Sequence, residues 1–156
     1  MPPDFAGAAC LDCLALLHAE VERALAGLPP EALDWTPGPA FNSLAALVVH
    51  TAGAERYWLG DVAAGRPSDR DREAEFRAAG LTAEQLQSRM AAVLAFAREI
   101  LGNMSDAQLG ETRVAPRDGR PVSVAWCLAH ALEHTALHTG QIQLMRQMWD
   151  QRLAAA

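Results

Sequence analysis

The sequence contains no lysine, so its 13 basic residues are all arginines, against 19 acidic residues for a net charge of −6. The arginines are scattered and interleaved with acids, as in the stretch from Asp69 to Glu73. The sequence therefore has no basic stripe that could neutralise a row of phosphates or hold the chain to an anionic lipid surface. We expect no nucleic-acid partner.

Long apolar runs are also missing. The longest extends from Leu44 to Val49 and stops at His50, far short of a membrane span. The first residues lack the basic start of a signal peptide, and three cysteines without an extracellular signal fit a reducing compartment better than a disulfide framework. These features predict a cytoplasmic protein that does not associate with membranes.

The common catalytic motifs are absent, since no G-x-S-x-G, P-loop or dinucleotide fingerprint appears. Cys10 and Cys13 form a C-x-x-C pattern, but the pattern lies inside a helical segment and lacks the β–α context of a redox motif. We interpret this pair as packing residues. Cys127 is interpreted as a small core residue, with a place near the histidines below left open.

Apolar residues recur at helical spacing in four segments. The first contains Cys10 to Leu28 and ends at Pro29 and Pro30; the second is capped by Asn42 or Ser43 and reaches about Gly65; the third is opened by a capping box at Thr82 and ends at Gly102; the fourth is capped by Ser123 and reaches about Leu153. These helices predict one all-α domain over residues 1–156, a four-helix bundle.

Two connections carry further signals. The charged stretch from Arg66 to Gly80 has weak periodicity and is long enough to cross the bundle, so simple up-down-up-down order is not required. Asp118-Gly119, flanked by Val114 and Val122, predicts a small β-hairpin.

Three of the five histidines, His130, His134 and His138, follow one another at four-residue steps on the fourth helix. Each step drifts by only about 40° around the helix, so the three form a row. Side chains at this spacing have Cβ atoms about 5–6 Å apart, which suits two imidazoles that share one ion. On the second helix His50 shares a face with Tyr57 and Trp58, and Glu55 and Arg56 lie on the opposite side. Both sets of histidines are therefore predicted to face the core.

Spacing alone leaves a metal site and a set of hydrogen-bonded core histidines as equal alternatives, because H-x-x-x-H without the Glu of H-E-x-x-H is only moderately specific. We interpret His18 as a hydrogen-bonded core residue and His130 as boundary packing or support for its neighbours. Gln141 either hydrogen-bonds near the site or packs.

The segment His134-Thr-Ala-Leu-His138-Thr-Gly140-Gln141 resembles the H-x-x-x-H-x-G-Q signature of the DinB-like (YfiT-like) superfamily. His50, followed by Glu55 and two aromatics, is similar to the second-helix motif of that family, and Trp35-Thr36-Pro37 also fits. The resemblance spans nearly the whole chain. It implies up-down-down-up connectivity and a metal site whose ligands are His50, His134 and His138, with His130 outside the triad.

Relatives in this superfamily include metal-dependent transferases for low-molecular-weight thiols such as mycothiol or bacillithiol. The resemblance therefore implies a metal-dependent enzyme acting on a small molecule, a thiol S-transferase or a hydrolase, and a homodimer. The ion would be Zn²⁺, Ni²⁺ or Fe²⁺, since imidazole accepts all three, and three ligands leave a position open for chemistry. Tyr57, Trp58 and the loop around Trp35 are the expected substrate walls. The alternatives are a non-catalytic metal-binding protein, stress-related or structural, and a metal-free bundle that acts through oligomerisation.

Overall fold

The computed structural model describes residues 5–155, with side chains described for residues 6–152. Within this part the protein is all-α, because helices make up 71% of it and the strands are two short ones. The α-helices are α1 (Phe5–Leu25), α2 (Pro30–Asp34), α3 (Leu44–Arg56), α4 (Arg72–Phe76), α5 (Ala83–Gly102) and α6 (Val124–Ala155); a π-helical segment (Tyr57–Ala64) continues α3, a 3₁₀ turn spans Asp106–Gly110, and the strands are β1 (Thr112–Val114) and β2 (Pro121–Ser123).

Two predicted helix starts are confirmed by their caps. The Ser43 hydroxyl accepts a hydrogen bond from the backbone N–H of Ala46 at the start of α3. At the start of α5, Thr82 and Gln85 form the reciprocal bonds of a capping box. The second predicted helix does reach Ala64, but its last eight residues are π-helical. Gly65 ends it in the left-handed conformation, at φ 64°.

Three short helical pieces were not predicted: α2, α4 and the 3₁₀ turn at Asp106–Gly110. The first long helix ends at Leu25, and Pro30 opens α2, where its fixed φ suits the first helical position. In the charged connection, Asp71 caps α4 by accepting a hydrogen bond from Ala74. Elements of five residues are too short to show a hydrophobic period, so the sequence pattern could not reveal them.

The predicted hairpin is confirmed. Strands β1 and β2 pair antiparallel, with Arg113 opposite Val122. Gly119 in the connecting turn has φ 69°, a conformation that glycine adopts without strain.

The long helices pack as neighbouring pairs: α1 contacts α5 and α6, and α3 contacts the same two helices. The core has two apolar clusters, one around Leu25, Leu44 and Met145, the other around Leu14, Leu59 and Cys127. Buried polar residues occur along each of these helices where one cluster gives way to the other. They are His18 on α1, His50, Thr51 and Glu55 on α3, and Thr135 and Thr139 on α6. This polar layer is the level of the candidate site.

None of the helices in the described part of the chain is long and apolar enough to cross a membrane.

Candidate metal centre

His50, His134 and His138 come together where α3 packs against α6. Their ring centroids are 4.4–5.0 Å apart, and each offers a ring nitrogen within 4.8 Å of the other two. His50 is buried, whereas His134 and His138 are half-buried. The row on α6 was predicted to face the core, but His134 and His138 lie at its edge. This leaves one side of the cluster reachable from solvent.

A carboxylate from the connection between α3 and α5 forms a hydrogen bond with His50. Its Nδ1–H donates to Oε2 of Glu75 at 2.8 Å. Arg70 in turn donates to both carboxylate oxygens of Glu75, at 2.6 and 2.7 Å. All three side chains are at most 10% exposed, so these charge-assisted bonds are shielded from water and define the orientation of the His50 ring.

Glu75 remains a carboxylate in this setting. Burial raises its pKa, but the hydrogen bonds from Arg70 and His50 outweigh burial and hold the pKa below its ordinary value. An anionic Glu75 accepts the proton on Nδ1 of His50, so in the neutral form of the ring the lone pair lies on Nε2. The free lone pair belongs to the nitrogen that faces away from Glu75.

The α6 histidines are arranged in a related way. Nδ1 of His138 donates to the side-chain oxygen of Gln141 at 2.7 Å, and its Nε2 lies 3.2 Å from Nε2 of His134. This settles the open question about Gln141, which is exposed and orients His138. Nδ1 of His134 is buried and has no hydrogen-bond partner within the described chain.

Both α6 imidazoles are neutral at pH 7. Burial, reinforced by the neighbouring His138 and His50, lowers the pKa of His134 to about 3. Burial also lowers the pKa of His138, although the bond to Gln141 opposes this. Neutral imidazoles are the form that binds metal ions.

The donor set fits a divalent metal ion. The bonds to Glu75 and Gln141 place protons on the outer nitrogens of His50 and His138, so their Nε2 lone pairs are free and are available to one ion. Two ring nitrogens at 3.2 Å share either a proton or a cation. An ion at about 2.0–2.1 Å from each of them would give nearly this spacing. A metal-binding histidine whose other nitrogen donates to a carboxylate is a recurrent arrangement in metal sites.

Gly53 allows Glu75 to approach α3. A Cβ atom at position 53 would lie 2.0 Å from Oε1 of Glu75 and 3.4 Å from Nε of Arg70. Since real Cβ atoms do not come this close to another atom, any other residue at position 53 would require the Glu75 side chain to shift.

His130 lies outside the cluster, as predicted. Its ring stacks on Trp126 at 4.5 Å and meets Trp58 edge-on at 4.9 Å, and its centroid is 5.9 Å from that of His134. The guanidinium of Arg120 lies 4.4 Å from the Trp126 centroid. Trp58, Trp126 and His130 form an aromatic wall beside His134.

The remaining predicted positions are separate from the cluster. His18 is a hydrogen-bonded core residue, as predicted, and its partner is the buried carboxylate of Glu55 at 2.8 Å. Cys10 and Cys127 are buried in the apolar core, whereas Cys13 is exposed. Trp35 packs edge-on against Trp149 rather than beside the histidines.

Sequence reasoning missed Glu75, Arg70 and Gly53. The first two lie in a charged connection that looked like solvated chain, 25 and 20 residues from His50. Gly53, three residues after His50, looked like an ordinary helical position. A small residue one turn from a candidate ligand is the one sequence signal for a close approach there.

The fold defines the class of protein. A solved structure described as a DinB-like protein from Bacillus cereus ATCC 10987 matches with a TM-score of 0.75 and 17% identity, covering 96% of this chain and 95% of that one. A conserved protein from Enterococcus faecalis matches with a TM-score of 0.72 and 18% identity, covering 89% and 94%. At these identities the likeness shows the fold, which is DinB-like.

The family is narrower than the fold. The family model described as mycothiol-S-transferase matches residues 10–151. The chain therefore belongs to the mycothiol S-transferase family of the DinB-like superfamily. None of the curated proteins compared with it matches the chain.

Proposed function

We propose that this protein is a metal-dependent enzyme that transfers a low-molecular-weight thiol to a small electrophilic substrate, with His50, His134 and His138 as the metal ligands. The observation that carries the proposal is the convergence of three histidine nitrogens within 4.8 Å in a chain of a thiol-transferase family. The half-buried faces of His134 and His138 provide the access that a substrate needs.

The residues around the site have different roles. His50, His134 and His138 would hold a divalent ion, which would supply the Lewis acidity that lowers the pKa of an external thiol. Glu75 keeps the proton of His50 on Nδ1, and Gln141 does the same for His138. The aromatic wall of Trp58, Trp126 and His130 excludes water from one side. The chain's own buried thiols are poor nucleophiles, because burial raises the pKa of Cys10 and of Cys127 to about 11. An external thiol is therefore a better nucleophile than either buried cysteine.

We also propose the full topology, a single four-helix bundle with up-down-down-up connectivity. In support, Cys10 contacts Leu128 and Glu20 bonds Gln143, so α1 and α6 run in the same direction. Glu55 contacts Thr135 whereas Trp58, further along the chain, contacts Trp126, so α3 runs opposite to α6. Gly7 approaches Leu101 whereas Glu22 lines a groove with Gln87, so α5 runs opposite to α1.

A homodimer is a further part of the proposal. Three large apolar side chains on α1 and α6 are more than half exposed: Leu16, Leu137 and Leu144. Association of two copies through these helices would remove this apolar surface from water. Sedimentation of the full chain at micromolar concentration distinguishes a dimer from a monomer.

The function is tested with protein purified without a His-tag. Elemental analysis should find one Zn, Ni or Fe per chain. The loaded protein should conjugate a small thiol such as mycothiol to a generic electrophile, and both chelation and His138→Ala should abolish the reaction. If a thiol leaves the visible spectrum of the cobalt-substituted protein unchanged, sulfur does not reach the ion, and the transferase proposal fails.

A metal-dependent hydrolase is the second candidate, because the same ligand set activates water in other proteins. Chelator-sensitive hydrolysis of ester or amide substrates without any thiol effect would favour it. A non-catalytic metal-binding protein, stress-related or structural, would retain the ion with neither activity.

A further inference from the structure

A cavity of about 750 Å³ lies between α3, the connection around α4, and α5. None of the three clustered histidines lines it, whereas Glu75 and Arg70, which hold His50, do. The cavity is thus adjacent to the candidate metal centre through Glu75, but because it contains none of the three histidines it is separate from the thiol site proposed above.

The cavity has apolar lining residues and a size suited to a small organic molecule. The apolar lining includes Val49, Ala52, Val93 and Phe96. Cavities that hold small ligands have volumes of about 300–1,000 Å³ and are lined mainly by apolar groups with a few polar ones that orient the ligand.

Four arginines line the same cavity, and two of them are free. Arg56 pairs with Asp61, and Arg70 pairs with Glu75. The side chains of Arg77, at the end of α4, and of Arg89, on α5, form no hydrogen bond or ion pair with any described residue.

None of the acids in the lining is bonded to Arg77 or Arg89. Glu75 is bonded to Arg70, and Asp71 accepts the capping bond of α4. Asp69 is the remaining acid. The N–H donors of Arg77 and Arg89 are therefore not used by any carboxylate of the lining.

We propose that this cavity binds a small organic monoanion with an apolar body, a carboxylate or a sulfonate. The apolar body packs on Val93 and Phe96, and the anionic group accepts hydrogen bonds from Arg77 and Arg89. Guanidinium groups bind planar anions through two parallel N–H donors, which distinguishes a carboxylate from an uncharged analogue of the same shape.

The test is calorimetric titration of the full chain with 2-naphthoate and with uncharged 2-naphthamide. We expect 2-naphthoate to bind at least about tenfold more tightly, the ratio that one charge-assisted hydrogen bond provides. The double variant Arg77→Gln/Arg89→Gln should bind both compounds equally weakly. Arg98→Gln removes an exposed arginine from the same helix α5 but outside the cavity, and it should change neither affinity.

Two further variants separate the site from other causes. Ala92→Trp places a large side chain in the cavity and should weaken the binding of both compounds. His134→Ala/His138→Ala should leave 2-naphthoate binding intact, so a failure of the metal proposal does not affect this result. Equal affinity of wild type for the two compounds, no binding at millimolar concentration, or an equal loss in Arg98→Gln would each overturn the proposal.

Discussion

Oε2 of Glu75 accepts the Nδ1 proton of His50 at 2.8 Å, across 25 residues of sequence. The bond joins a residue of the irregular α3–α5 connection to the most buried member of the histidine cluster. It fixes both the orientation and the tautomer of His50, and it is itself fixed by the two hydrogen bonds from Arg70. The connection is therefore part of the site.

Glu75→Gln should weaken metal binding by about 10- to 100-fold, the range for partners that orient a metal-binding histidine. An amide keeps the shape but loses the charge that holds the proton on Nδ1. Competition titration with a chromophoric chelator measures the affinity. Glu73→Gln, an exposed acid of the same short helix, is the matched control and should bind like wild type. Equal affinities of the two variants would contradict a role for Glu75.

Gly53→Ala should weaken metal binding although position 53 contacts no ligand in the proposed site. The new Cβ would overlap Oε1 of Glu75, 2.0 Å away, and displace the carboxylate from His50. Gly140→Ala is the control, because a Cβ at that α6 position meets nothing within 4 Å. There the loss of glycine should stabilise the fold by up to about 1 kcal/mol in urea unfolding. If Gly53→Ala also stabilises the fold and keeps full metal affinity, the close approach has no functional consequence.

Single alanine substitutions of His50, His134 and His138 should each sharply reduce metal retention, because each removes one of three ligands. His130→Ala is the control on the same helix as two of them, since His130 stacks on Trp126 outside the cluster. Elemental analysis after gel filtration measures the retained ion. Stoichiometric retention by the His134→Ala/His138→Ala double variant would exclude this site.

The sequence predicts only part of this site. The four-residue steps of the α6 histidines are set by helix geometry, so their grouping was predictable. The bond between Glu75 and His50 could not be predicted. Glu75 lies in the connection between α3 and α5, and the sequence of that connection shows no period from which its path could be derived. Glu55 was predicted to lie on the side of α3 opposite the core-facing His50, but it is buried and bonds His18 and Thr135. An amphipathic pattern does not distinguish a polar face in solvent from one in a buried polar layer.

The three cysteines should differ in reactivity. A thiol of pKa about 11, as for Cys10 and Cys127, is almost wholly protonated at pH 8, and the thiolate is the reactive form. Ellman's reagent should therefore titrate one thiol per folded chain at pH 8, that of the exposed Cys13, and three in denaturant. Cys13→Ser should remove the single fast reaction. A second fast thiol in that variant would contradict the burial of the other two.

His18 and Glu55 form a second buried pair, besides His50 and Glu75. His18 Nε2 donates to Oε2 of Glu55 at 2.8 Å, and the Thr135 hydroxyl donates to the same oxygen at 3.3 Å. Both members of the pair are buried, so His18→Ala would leave Glu55 without its main partner between two apolar clusters. Removal of one partner from a buried pair costs about 3–5 kcal/mol.

We therefore expect His18→Ala to lower the free energy of unfolding in urea by about that amount, while the metal affinity of the folded protein stays unchanged. Asp150→Ala breaks the exposed pair of Arg146 and Asp150 on α6 and should cost less than about 1 kcal/mol. A loss of metal affinity in His18→Ala as large as that in His134→Ala would show that the buried pair belongs to the metal centre rather than to the core. A change in stability no larger than that of Asp150→Ala would show that the pair contributes little to the fold.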